Sequence, residues 1–301
     1  MPPFCVMGNG GSFGIIPEIP RRNLYYARPS DIRIIMTVKT RILTAIVLMT
    51  VCIATLAQRD QNTREAKPNE VPFAYNAKDY GKVEIESVAK AVAVEGDMPT
   101  EAPAHSCFHL QDKRALPALD KGPRYFYPAY NTICIIPLTD NSVNDFAKSY
   151  PYVHEAAAKL RKLLARRPAR FKVLKELTDV PFNNAAGIVE SKVQYLNFKM
   201  GKGVLFLTQY SQDSVPTPIN NEELVCNFQG ITNDNKYYVA ARLAITHPSL
   251  PKGIDSTKNP GQDLKLNYLK KEEKLLNSFA DESFKPSLKS LKALIASITT
   301  P

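Results

Sequence analysis

The sequence predicts an α+β fold: an antiparallel β-meander packed against an amphipathic helix and C-terminal helices. Three observations carry that prediction. Between Pro151 and Pro168 the residues Val153, Ala156, Ala157, Leu160, Leu163 and Leu164 recur at helical spacing on one stripe. Between Lys192 and Thr246, two pairs of apolar-rich runs are each joined by a short turn-forming stretch. After Pro286 a second helical stripe, Leu288, Leu291, Leu294, Ile295 and Ile298, closes the chain. Hairpins favour an antiparallel sheet with a face to cover, and helices with one apolar stripe are suited to cover it.

The first patterned segment in chain order is "MTVKTRILTAIVLMTVCIATLAQ", Met36 to Gln58. Lys39 and Arg41 precede an apolar run from Ile42 to Leu56, and Thr55-Leu56-Ala57 sets small residues at −3 and −1 of a cleavage site. The run falls short of the roughly 20 residues that span a bilayer. A cleaved secretory signal over residues 36–57 is therefore expected, with an uncleaved anchor as the alternative. Val51 before Cys52 is too bulky for a lipid-attachment site. Targeting reads the emerging chain, so residues 1–35 are read as a non-native extension ahead of a true start at Met36. The glycine-rich "GNGGSFG" there, Gly8 to Gly14, lacks a preceding strand pattern and a following helix pattern, and is not a phosphate loop.

Without residues 1–57, basic residues fall from 39 to 33, acidic residues from 29 to 27, and the net charge from +10 to +6. That balance suits an anionic envelope surface and is too mild to indicate nucleic acid. Only the signal segment, if uncleaved, is apolar enough to enter a membrane. Residues 58–104 read as a flexible or extended leader: "QRDQNTREAKPNEV" is polar, and "KVEIESVAKAVAVEG" fits either a strand or a short helix amid Pro and Gly punctuation. A single globular domain is expected over 105–301. Of the cysteines beyond the signal, Cys107 and Cys134 are nearest in sequence and are the expected disulfide pair, leaving Cys226 free. The alternative is three buried thiols.

Within the domain, "NTICIIPL" (Asn131 to Leu138) is a β-branched apolar run and reads as a buried strand. The helix that follows opens with Pro151 in its first turn and stops at Pro168. "KVQYLNFK" and "VLFLTQY" flank Met200-Gly201-Lys202-Gly203, whose glycines allow the positive φ of a tight turn. "ELVCNFQGI" and "KYYVAARLAIT" flank Thr232 to Asn235, and Arg242 and Thr246 take the face opposite Tyr237, Val239, Ala241, Leu243 and Ile245. Leu264 to Phe279 is helical in pattern.

"FNNAA", "VQYLNFKMGKGVLFLTQYSQD", "PINNEEL" and "FQGITNDNKYYVAARLAITHPSLP" resemble the wording of an uncharacterised family of exported bacterial proteins and lipoproteins, over roughly Tyr127 to Pro251. The resemblance implies an envelope or extracellular location and no catalytic residue. Cys226 stands where that family usually has an aromatic, which argues against a role for the thiol. The order of elements is similar, by analogy of fold only, to the small α/β/α sandwich of the PsbP-like group.

No G-x-S-x-G, H-E-x-x-H, Walker loop or C-x-x-C occurs. A non-enzymatic envelope module that binds a ligand or partner is therefore the leading reading, and no cofactor is implied. Candidate ligand-binding residues are Gln209, Tyr210, Asn220 and Asn221 around the link between the hairpins, with His247 at the end of the last strand. The structural alternative, with Pro and Asn fixing turns, amides satisfying local backbone and a lone histidine in a packing role, is the preferred one. Candidate polyanion-binding residues are Lys159, Arg161, Lys162, Arg166, Arg167 and Arg170, which suit an anionic envelope component or another envelope protein. A solvated helix face with cations complementing the C-terminal dipole is the simpler and preferred account of that basic run. Two alternatives stay open. In "HSCFH", His105, Cys107 and His109 share a face if the segment is a strand, and imidazole with thiolate suits copper or zinc. A hydrolase-type enzyme would use His247 with distant carboxylates.

Overall fold

The computed structural model describes residues 63–67, 70–96, 100–113, 131–169, 171–181, 185–211, 218–253 and 265–299. The expected extension 1–35, the signal 36–57 and Arg170 lie outside them, as does the glycine-rich stretch 8–14.

Among the described residues nine strands form one antiparallel sheet: β1 (Thr63–Glu65), β2 (Tyr80–Val88), β3 (His105–Asp112), β4 (Thr132–Pro137), β5 (Ala186–Gly187), β6 (Ser191–Phe198), β7 (Gly201–Ser211), β8 (Leu224–Thr232) and β9 (Tyr237–Ala244). Their spatial order is β1-β2-β3-β4-β9-β8-β7, with β5 and β6 pairing different stretches of β7. Among the described helices are α1 (Phe146–Ser149), α2 (Pro151–Arg166), α3 (Val173–Glu176), α4 (Lys265–Ser278) and α5 (Leu288–Ala296). Helices and an antiparallel sheet together make the chain an α+β protein. None of the described helices is long and apolar enough to cross a membrane.

Why these segments fold as they do is clearest in α2. Pro151 sits in its first turn, where a missing N–H is harmless, and Arg167 closes it in a left-handed conformation (φ 42°) with its N–H on the Leu163 carbonyl. The six stripe residues are all buried, against Ile136, Val204, Phe206, Ile231, Tyr238 and Ala240 of the sheet. Each fully buried leucine there contributes about 1.5–3 kcal/mol over an exposed one. On the other face of the sheet, Leu288, Leu291, Leu294 and Ile295 of α5 join Ile133, Leu205, Leu207, Phe228 and Val239. With a cluster on each face, β7, β8 and β9 are buried almost along their whole length.

Two expectations are corrected. The described residues of the expected flexible or extended leader, 58–104, belong instead to the globular domain, because β1 and β2 lie in the sheet and Tyr80, Val83 and Ile85 are core residues. The following arm is tied down as well. Ala91 bridges Ala102, Ala93 N–H donates to the Ser149 carbonyl, and the buried Glu101 carboxylate accepts from Tyr152 N–H at the start of α2. The Pro and Gly punctuation read as an arm therefore bounds a strand whose apolar alternation is short but fully used. The second correction concerns the first hairpin. Its turn is Lys199–Met200, and Gly201 and Gly203 already belong to β7 without positive φ. They are needed for close approach: a Cβ on Gly201 would lie 2.6 Å from Phe198 Cζ, and one on Gly203 would lie 2.5 Å from Phe228 Cζ. Those two rings pack edge to face at 5.8 Å over the strand.

Candidate functional site

The site begins with a contradiction in β9. Alternation sends Arg242 to the face opposite Val239, Ala241 and Leu243, a face expected to be wet. That face is covered, and Arg242 is 6% exposed. A buried guanidinium needs partners, and the neighbouring strands supply a polar set on the same face. Asn227 of β8 lies directly opposite Arg242, Gln229 follows two residues on, and Tyr210 of β7 is completely buried beside them.

All of these donors converge on one carboxylate. Asp179, in the loop after α3, accepts at Oδ1 from the Gln229 amide at 3.0 Å, the Tyr210 hydroxyl at 3.1 Å and the Asn227 amide at 3.3 Å. Arg242 Nη2 stands 4.0 Å from the same oxygen. Further contacts orient the donors. Tyr238 donates to Gln229 Oε1 at 2.6 Å, turning its NH2 toward Asp179. Asn227 Nδ2 also reaches Tyr210 Oη at 2.5 Å. Tyr152 of α2 donates to the Asp179 carbonyl at 2.7 Å, and Arg242 Nη2 donates to the Pro181 carbonyl at 2.7 Å. Arg242 also lies over the Tyr210 ring, 5.6 Å from its centroid. Its Nε has no hydrogen-bond partner among the described residues.

Electrostatics follow from the burial. Burial pushes the Tyr210 and Tyr238 hydroxyls well above the ordinary phenol range, with the Asp179 charge adding to it, so both remain donors. Burial alone would weaken the Arg242 charge, but Tyr210 and Asp179 outweigh it and the guanidinium is held more firmly protonated. Asp179 is the open member of the group, its side chain 21% exposed against 7% for Arg242.

The polar row continues toward β2. Thr132 of β4 faces Arg242 across the ladder and His109 of β3 faces Thr132. His109 Nδ1 lies 3.1 Å from Thr132 Oγ1 and its Nε2 lies 2.7 Å from Glu86 Oε2, with the His109 and Glu86 side chains both partly exposed. This hydroxyl–imidazole–carboxylate chain was not expected from the sequence, because Glu86 lay in the segment read as leader.

The expected ligand set at the hairpin link has other work. The Asn220 side chain accepts from the Glu222 and Glu223 N–H groups and donates to the Pro218 carbonyl and Glu223. Gln209 bonds Asn220 N–H, the Pro218 carbonyl and Glu223. Asn221 spans the His247 N–H and the His247 and Leu250 carbonyls. These three amides fold the loop and are spent in doing so; only Tyr210 of that group reaches the polar cluster. His247 is stacked on Phe279 at 3.5 Å, bonded through Nε2 to Ser283, and held below the ordinary imidazole range by burial. No carboxylate contacts it among the described residues, and its ring is engaged in packing and in the bond to Ser283.

The basic helix face is largely matched by local partners. Lys159 pairs with Glu155 at 2.7 Å, Arg166 with Glu176 at 2.6 Å, Arg161 bonds Asn235, and Arg167 lies over Tyr195. Lys162 is exposed. The group is thus a tethered surface more than a free cationic patch. The proposed His105, Cys107 and His109 ligand set is also corrected. Cys107 and Cys134, directly opposite on β3 and β4, form a disulfide, and His109 is held by Thr132 and Glu86. What does assemble is His105 with both sulfurs, their ligand atoms all within 4.8 Å of one another.

Set against known proteins, the chain matches no family model, no curated protein and no solved structure.

Proposed function

We propose that this protein acts outside the cytoplasm as a non-enzymatic binding module, and that Tyr210, Asn227, Gln229 and Arg242 form its receptor for a carboxylate of an anionic envelope component. One observation carries the reading: three hydrogen-bond donors from β7 and β8 converge on a single carboxylate oxygen with the Arg242 guanidinium of β9 4.0 Å away, and that oxygen belongs to a partly exposed loop residue. In the free protein Asp179 occupies the cradle; a partner's carboxylate would replace it. In this reading the antiparallel meander, packed between the amphipathic helix and the C-terminal helices, is a rigid platform for the donors. The disulfide supports an oxidising compartment, in line with the export signal read at 36–57. The resemblance to exported bacterial proteins points the same way.

The test is chemical rescue. Asp179→Gly empties the cradle, and formate or acetate should then raise its melting temperature with saturation while leaving the parent protein unmoved. An acidic peptide should compete with the small carboxylate. If neither anion stabilises the variant beyond an equal concentration of chloride, the cradle is only a clamp on its loop.

A hydrolase reading is favoured by the Thr132, His109 and Glu86 chain, which has the order of nucleophile, base and orienting acid. Against it, β4 is paired on both sides, so the amides flanking Thr132 are engaged in the ladder and unavailable to stabilise an oxyanion. A fluorophosphonate probe that labels Thr132 would reverse this preference.

A further inference from the structure

We propose that reduction of the Cys107–Cys134 disulfide turns the α2 face of β3 and β4 into a site for a thiophilic d10 cation, Zn2+ or Cu+, bound by His105, Cys107 and Cys134. Three observations place it. Strand alternation sets His105 and Cys107 on one face of β3, and the register puts Cys134 directly opposite Cys107. The imidazole and both sulfurs already lie within 4.8 Å of one another. His105 Nδ1 lies 2.8 Å from the Pro103 carbonyl, which can only accept, so Nδ1 carries the proton and Nε2 keeps its lone pair. A metal-ligating histidine is commonly fixed in this way by a backbone carbonyl.

The chemistry balances with a dithiol as reductant. Its two sulfur–hydrogen groups give two electrons and two protons to the Cys107–Cys134 bond, which breaks to two thiols while the dithiol closes to its own disulfide. Binding of the cation then expels the two thiol protons. Two thiolates and one imidazole suit three-coordinate Cu+, or Zn2+ with a water completing the tetrahedron. Both sulfurs are buried, and His105 is half-buried, so the cation enters on the His105 side. Glu86, opposite Cys107 on β2, adds a negative charge to the neighbourhood. This site differs from the triad expected from sequence, since Cys134 replaces His109, and it is independent of the Asp179 cradle.

The experiment uses the purified full chain, oxidised or reduced with a phosphine under argon, titrated with Zn2+ and with Cu+ against a competing chelator. Non-denaturing mass spectrometry reads stoichiometry, and Co2+ substitution reads thiolate ligation through its charge-transfer bands. The expectation is one cation per reduced chain and none per oxidised chain. His105→Ala should weaken binding by at least the 10- to 100-fold typical of disturbing a metal site. His109→Ala and Cys226→Ala should leave it unchanged, the second because that thiol lies in the opposite core cluster. Circular dichroism of each reduced variant establishes that it remains folded. A reduced, folded chain that takes up neither cation overturns the proposal, as does binding that ignores His105. A reduced chain that unfolds and is not refolded by either cation overturns it equally.

Discussion

Replacing Asp179 by Asn is the most informative single change, because it keeps the shape and one acceptor oxygen while removing the charge. In the native protein Arg242 is 7% exposed in its side chain and its nearest carboxylate oxygen is 4.0 Å away. At an effective dielectric of about 20, unit charges at that distance attract by about 4 kcal/mol. Partial exposure of Asp179 screens some of this, and the Pro181 carbonyl continues to accept from Arg242. The donors from Tyr210, Asn227 and Gln229 also lose a charged acceptor. Breaking a buried pair from one side typically costs about 3–5 kcal/mol, and the screening places Asp179→Asn near the lower end, about 3 kcal/mol. Arg242→Met, which removes the buried charge itself, should cost less than Asp179→Asn. The double variant should be more stable than the sum of the two losses implies. Urea denaturation of the four proteins measures this directly, and at about 2–4 °C per kcal/mol the first variant should melt about 6–12 °C lower. A loss under about 1 kcal/mol for Asp179→Asn, or strict additivity, would refute the view that this carboxylate compensates the buried guanidinium.

Other outcomes follow from the same geometry. Gly203→Ala should destabilise by about 1–3 kcal/mol in the same denaturation assay, because a Cβ there would run into the Gln229 carbonyl oxygen of the paired strand and meet the Phe228 ring at 2.5 Å, and that ring is packed against Phe198. Asp140 is lowered from 3.8 to about 2 by hydrogen bonds from Ser142 and Tyr150. Its contribution to stability is therefore complete above about pH 4 and disappears as pH falls through about 2, and Asp140→Asn should remove that part of the acid titration. Burial pushes the Cys226 thiol up to about 12. Iodoacetamide at pH 8 should leave it unmodified in the folded protein and alkylate it after denaturation.

How much of this could be read in advance varies with the kind of interaction. The stripe Val153 to Leu164 repeats at a period set by the helix alone, and the structure buries those six residues. β2 escaped because Pro and Gly around it are equally compatible with an arm, and only its partner strand distinguishes the two. Asn220 and Asn221 looked like exposed recognition groups, since an amide is as good for a ligand as for a loop's own backbone; the fold decided for the backbone. Asn227 and Gln229, two apart on a run otherwise apolar, were a signal that could have been used. Polar residues at alternate positions on a buried strand must meet a partner. Asp179 offered no such mark, being one acid in a short irregular segment.

Local spacing was enough to indicate the class of fold, the main amphipathic helices and the face on which Arg242 would lie, because each depends on a pattern within a few residues of chain. That this face is covered, that Asp179 comes down onto it, and that His105 stands beside the Cys107–Cys134 pair anticipated from spacing emerged with the three-dimensional packing. Burial of a polar residue depends on what is packed above it, which is set by segments distant in the chain. A period of two or of 3.6 fixes the side a residue faces, whereas what it meets there is a property of the whole assembly of sheet, loop and helix.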